Sequence, residues 1–160
     1  MIVYCGLRNF YIQHLKQDDA FYILTHAGQI WDFSPELKQL GFTRNKPLNT
    51  VHHLGHRVEI IEIALNDFYR HTETWLDYSR QYTTDIEVEY PHAWYVRIPS
   101  PKIAQYFGED LVKYAAERGF SVIWGSGISK IVVKLAAHYT AHPNTDVLIP
   151  PEKTQDFMKQ

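Results

Sequence analysis

Three carboxylates and a pair of lysines are the residues whose spacing here could do chemistry. In Asp85-Ile86-Glu87-Val88-Glu89-Tyr90, Glu87 and Glu89 are separated by one residue, so a strand turns both to one face. With Asp85 they could offer a divalent cation the hard oxygens that Mg²⁺ requires. The plainer reading is a solvent-facing strand. Lys130 and Lys134 are four apart and share a helical face; they either meet a DNA backbone or are simply solvated. The segment leading to them, Trp124-Gly125-Ser126-Gly127-Ile128-Ser129-Lys130, reads as a strand, a glycine-rich turn and a helix. A helix N-terminus so placed can hold phosphate. The segment is not a P-loop, which would end in Gly-Lys-Ser or Gly-Lys-Thr.

Nine histidines raise the question of a transition metal. His52, His53 and His56 cluster, and His52 and His56 have the i,i+4 spacing of half a zinc site, but Gly55 interrupts any helix there and no cysteine joins them. His138 and His142 repeat the spacing, but Pro143-Asn144 ends the helix, so these read as surface residues. Ser79, Ser100 and Ser126 have no evident His/Asp partners for nucleophilic catalysis.

The elements that must position these groups follow from hydrophobic period and turn chemistry. Ile2–Cys5 reads as a buried strand and Asn9–Lys16 as a short helix. Two strands, Phe21–Thr25 and Gln29–Phe33, flank the turn His26-Ala27-Gly28. Ser34 is placed to cap a helix from Pro35 to Leu40 that stops at Gly41, and Pro47–Leu54 is a second short helix. A strand covers Arg57–Ile63. Leu65, Phe68, Thr72, Trp75 and Leu76 fall at helical spacing within about residues 64–79. Ile86–Tyr90 and Trp94–Ile98 form a strand pair, and Pro99-Ser100-Pro101 opens a helix ending at Gly119. Phe120–Trp124 is a strand, Ile128–Tyr139 a helix, Val147–Ile149 a last strand and Glu152–Met158 a last helix. Strands and helices in this order suit an α+β domain.

Composition sets the outer bounds. A chain of 160 residues makes one domain, or one with an insertion. Its net charge of −2 argues against strong autonomous nucleic-acid binding, which needs clustered cations to displace counterions. Aromatics make up 14% of the chain, enough to anchor a core or to offer bases a stacking surface. The single Cys5 cannot form an internal disulfide and reads as a small core residue in a reducing, cytoplasmic compartment. Met-Ile-Val-Tyr does not open like a signal peptide, and no run approaches the roughly 18 apolar residues of a membrane span.

Several of these stretches resemble one family. Ile2 to Tyr11, a strand and a turn ending in Phe10-Tyr11, resembles the opening of Y-family (translesion, UmuC/DinB-like) DNA polymerases. Asp85 to Ile98 resembles that family's central palm hairpin, and Leu65 to Ser79 the palm helix before it. Gly28 to Leu54 follows the fingers pattern. Gly125 to Ala137, with Lys130 and Lys134-Leu135-Ala136-Ala137, resembles the helix written G-[IV]-[SA]-x-N-K-x-x-A-K-x-A. His142-Pro143-Asn144 stands at the family's Lys-Pro, and Val147-Leu148-Ile149-Pro150-Pro151 at the strand and proline after it. The resemblance implies an α+β fold, a Y-family polymerase-like palm. Its ferredoxin-like sheet would carry helices on one face, with a small fingers insertion at about 20–55 and the palm at about 1–19 and 56–160. Gln160 falls where the family's thumb begins, so thumb and little finger lie outside this sequence. It is then natively short or the N-terminal fragment of a longer Y-family protein.

The resemblance also implies what the chain does. Gly6 stands where the first metal-binding aspartate belongs, and His92-Ala93 where an Asp-Glu pair belongs. Gly6 and Ala93 bring no ligand atom, and imidazole nitrogen is a poor Mg²⁺ ligand. Tyr11 matches the steric gate of the nucleotide pocket and Lys38 a phosphate-contacting arginine of the fingers, while Pro35 replaces that contact's tyrosine and His142 the palm lysine. The pattern is similar to that of catalytically inactive, ImuB-type members. It implies a pseudoenzyme of DNA repair and damage tolerance without metal or cofactor, touching DNA weakly or indirectly and holding replication or repair proteins. The alternative is a nucleotidyltransferase whose Mg²⁺ is held by relocated acids, Glu87 and Glu89, beside the Tyr11 pocket.

Overall fold

The computed structural model of the protein describes residues 1–15, 20–44, 48 and 57–139. In chain order the elements are β1 (Ile2–Arg8), α1 (Phe10–Leu15), β2 (Phe21–His26), β3 (Gln29–Phe33), α2 (Pro35–Gln39) and β4 (Val58–Glu62). A 3₁₀ turn, Leu65–Phe68, then leads to α3 (Tyr69–Arg80), β5 (Ile86–Tyr90), β6 (Ala93–Arg97), α4 (Pro101–Glu117), β7 (Ser121–Gly127) and α5 (Lys130–Tyr139). They fall into two compact units, Met1–Arg8 with Tyr69–Gln160, and Asn9–Phe68. The second unit is thus inserted in sequence between β1 and α3.

The first unit is built on a sheet of order β5-β6-β1-β7, antiparallel at every pairing. With α3 between β1 and β5 and α4 between β6 and β7, this is the ferredoxin-like βαββαβ order. The register pairs Cys5 with both Trp94 and Trp124, so all three side chains share one face. On that face α3 brings Trp75 to 6.3 Å from the Trp94 ring, and α4 lays Gly108 on Trp124. Trp75, Trp94 and Trp124 are each at most 2% exposed. Burying an indole removes roughly 150–250 Å² from water, a gross gain of roughly 4–6 kcal/mol apiece at the usual area coefficient. The Trp94 Nε1–H donates to Ser79 Oγ at 3.0 Å, and Ser79 Oγ donates to the Trp75 carbonyl at 2.9 Å, so burial strands neither group.

The opposite face of the sheet carries α5. Ile2, Tyr4, Ala93, Tyr95, Ile123, Val133 and Ala137 form its core. Here the structure corrects the reading of Gly125-Ser126-Gly127 as a turn: all three are buried residues of β7, paired with Tyr4, Val3 and Ile2. Gly125 serves close packing instead. A Cβ there would lie 2.6 Å from the Val133 carbonyl oxygen, so its absence lets α5 sit against the strand. α5 therefore starts after Ser129, with no glycine-rich phosphate loop before it.

In the second unit β2 pairs antiparallel with β3 and parallel with β4, over a core of Ile23, Leu37 and Phe42. Ala27 and Gly28 join β2 to β3 with φ of 51° and 77°, the primed two-residue turn that suits strand twist. Two expectations change here. Ser34 precedes α2 but does not cap it, because its hydroxyl accepts the Tyr22 N–H at 2.8 Å. The single helix expected over residues 64–79 opens as a 3₁₀ turn, with Asp67 N–H bonded three residues back to the Ala64 carbonyl. The helix expected at Pro47–Leu54 lies, apart from Leu48, outside the described residues. So do His52, His53, His56 and His142, and the elements expected after residue 146.

Candidate functional site

The residues singled out on the first unit converge on the α5 face. Gly6 is paired with Ala93 across β1 and β6, and the Leu7 N–H donates to the His92 carbonyl at 2.8 Å. The space between these positions and α5 is filled. Tyr4 meets Tyr95 edge-on with ring centroids 5.3 Å apart, and both are buried. A Cβ on Gly6 would stand 3.1 Å from the Tyr4 hydroxyl and 3.3 Å from Ile123. Ala93 is 0% exposed. Neither Gly6 nor Ala93 carries a side-chain ligand atom for a metal ion.

A polar rim surrounds that packed centre. The Tyr4 hydroxyl lies 3.2 Å from His138 Nε2; desolvation, then the charges of Lys134 and Arg8, hold His138 below the usual imidazole range. Burial and the nearby Glu89 carboxylate push the Tyr95 phenol up to about 12. Tyr90 and His92 stack with planes 5° apart. The two groups of candidates from the sequence meet one another here: Lys130 Nζ bonds a Glu87 carboxylate oxygen, and Lys134 Nζ donates to Glu89 at 2.6 Å. Lys130 also lies 5.4 Å from the centre of the Tyr95 ring and Lys134 5.8 Å from that of Tyr90. Glu87 and Glu89 do share a face, yet that face is turned to lysines. Asp85 pairs with Arg97 at 3.8 Å. Among the described residues no three His, Cys, Asp or Glu side chains are grouped to hold a metal ion.

The second unit holds the other candidates. Tyr11, on α1, is 2% exposed, its ring 4.9 Å from that of Phe68 and 6.3 Å from that of Trp31. Lys38, on α2, is exposed. Sequence reasoning passed over Asp32. This carboxylate is 6% exposed and accepts backbone N–H bonds from Ile12 at 3.2 Å and Phe33 at 2.9 Å. Burial raises its pKa to about 6, against the lowering effect of those bonds and of Arg44. It ties β3 to the first turn of α1. Tyr4, Tyr90 and Tyr95 were not singled out by the sequence, although the alternation that puts Tyr4, Tyr95 and Glu87 on one face was the available signal; His138, read as a surface residue, is exposed and reaches the Tyr4 hydroxyl. Cys5 is, as expected, a buried core thiol, its pKa pushed up by desolvation.

No family model matches the chain, and no curated protein matches it. Solved structures do. The crystal structure of DinB from Sulfolobus solfataricus superposes with a TM-score of 0.68 at 14% identity, over 98% of this chain and 50% of that one. An insertion ternary complex of Dbh DNA polymerase superposes with a TM-score of 0.73, and a post-insertion binary complex of the same enzyme with 0.71, both at 14% identity and over 98% of this chain. The chain spans about half the length of these polymerases, 50% in each case. Among the described residues no helix is long and apolar enough to cross a membrane. At this identity the likeness establishes the fold alone, and that fold is the one of the Y-family DNA polymerase palm region.

Proposed function

We propose that this chain is a Y-family polymerase-like protein that does not transfer nucleotides and serves DNA damage tolerance as an accessory. It would touch DNA weakly or hold partner proteins of replication or repair. One observation carries the reading: the positions that the resemblance assigns to metal-binding acids are Gly6, His92 and Ala93, a Cβ on Gly6 would meet Tyr4 and Ile123, and Ala93 is fully buried in the core that includes Tyr4, Tyr95 and Ile123. Two-metal phosphoryl transfer needs carboxylate oxygens that align the attacking hydroxyl and neutralise the triphosphate. Gly6, His92 and Ala93 do not supply them. The relocated-acid alternative draws no support from Glu87 and Glu89, which are engaged by Lys130 and Lys134.

The test is anisotropy of labelled primer–template DNA over a salt series, with and without Mg²⁺, beside a single-nucleotide incorporation assay. Weak, salt-sensitive binding that ignores Mg²⁺, with no incorporation, is the expected result. Mg²⁺-dependent incorporation would sink the proposal.

A further inference from the structure

The two α5 lysines are the groups on this face best suited to a phosphate, and both are already engaged by carboxylates of the same chain. Glu87 and Glu89 stand two apart on β5, Glu89 within the register shift between Val88 and Tyr90, and Lys130 and Lys134 follow the four-residue period of α5. Two rungs result, Glu87–Lys130 and Glu89–Lys134. The formal charge of the four groups sums to zero. Tyr95 and Tyr90 lie beside the ammonium groups, which further fixes their positions.

We propose that this ladder is an autoinhibitory contact: the β5 glutamates occupy the α5 lysines as a phosphate backbone would, and displacing them uncovers a two-cation site for DNA. The inference rests on the reading that the chain touches DNA.

Three observations carry it. The contact is charge-assisted, the kind of bond a lysine makes to a phosphate oxygen. It lies within reach of solvent, with the lysine side chains 37% exposed, Glu87 61% and Glu89 26% exposed, so a ligand can reach it, first at the Glu87–Lys130 rung. The Glu87–Lys130 rung is exposed, and exposed ion pairs are weak, because solvent screens them and ordering two long side chains costs entropy. A polyanion that releases counterions on binding can therefore outcompete them. Meanwhile the two carboxylates repel an approaching phosphate, which accords with a chain of net charge −2 that binds nucleic acid weakly.

The experiment uses the full chain and the double substitution Glu87→Gln/Glu89→Gln, which keeps side-chain shape and removes both charges. Against labelled primer–template DNA at low salt, affinity should rise about tenfold, as expected when two weak pairs no longer compete. The dependence of log K on log salt should steepen by about two, roughly one unit for each phosphate newly neutralised. Adding Lys130→Ala/Lys134→Ala should cancel both effects. A second readout needs no DNA: acylation of Lys130 and Lys134, followed by mass spectrometry, should be faster in the glutamine variant. Wild-type binding that the glutamines leave unaltered overturns the ladder while the DNA reading stands. No binding by either form at low salt overturns both. A rise in affinity that survives loss of the lysines, or unchanged acylation, also overturns the ladder.

Discussion

On one face of the four-stranded sheet, Trp75, Trp94 and Trp124 are sealed from water under α3 and α4, with Ser79 linking Trp94 to the Trp75 backbone. On the other face, Gly6, Ala93 and Gly125 are small, Tyr4 and Tyr95 fill the space above the first two, and α5 lies over Gly125. The rim of that second face is polar and partly wet, with its Glu–Lys pairs and the Tyr4–His138 contact. The difference teaches where change can be absorbed. The indole face holds rigid rings in fixed volume, so any added atom must displace a ring. The α5 face packs Ile2, Tyr4, Tyr95, Ile123 and Val133 around its small residues and keeps long polar side chains only at its rim, so change is absorbed at that rim.

The largest expected effect breaks the first face. A Cβ on Gly108 would fall 2.2 Å from the Trp124 ring, and that ring is fully buried. Gly108→Ala should cost about 3 kcal/mol, the upper range for overpacking, read as a lowered urea midpoint. A cost below about 0.5 kcal/mol, the size of an ordinary surface substitution, would mean that this face is as yielding as the other.

A smaller effect sharpens the contrast on the second face. Gly6→Asp restores an acid at the strand position where the resemblance expects one, but its Cβ would meet Tyr4 and Ile123. Burying a poorly solvated polar group costs about 1–3 kcal/mol by mutational measure. The variant should therefore unfold at lower urea, and millimolar Mg²⁺ should not restore it. Recovery on adding Mg²⁺ would show that the α5 face still has the geometry of a metal site.

The smallest effect concerns the rim. His138 titrates below the usual imidazole range in the folded chain, so the unfolded chain takes up its proton first as the pH drops. Its contribution to stability is thus complete above the unfolded value of about 6.5. It is lost as the pH falls from there through the lower folded value. His138→Gln should flatten the decline of the melting temperature between about pH 7.5 and 5.5 relative to wild type. An identical decline in both would mean that the titration of His138 contributes nothing to acid sensitivity.

Elements whose signal is local were legible in the chain. Ile86–Tyr90 is marked by its β-favouring residues and its bounding residues, and α4 is announced by Pro99-Ser100-Pro101, where Ser100 does accept the Ile103 N–H at 3.3 Å. The His26-Ala27-Gly28 turn likewise depends on neighbours a few bonds apart. The order of those elements was also enough to suggest the palm fold. Four features required the tertiary structure. Ser34 has the composition of a cap, but the Tyr22 N–H on a neighbouring strand claims its hydroxyl. Gly125 has the composition of a turn, but its pairing with Tyr4 on β1 makes it strand, and the approach of α5 leaves room for no side chain there. Glu87 and Lys130 are 43 residues apart, and Tyr4 and His138 are 134 apart. Backbone period decides which way a side chain points, but strand order and helix placement decide what stands opposite it. The partners that neutralise the lysines and fill the space before Gly6 were therefore settled only when the sheet closed beneath α5.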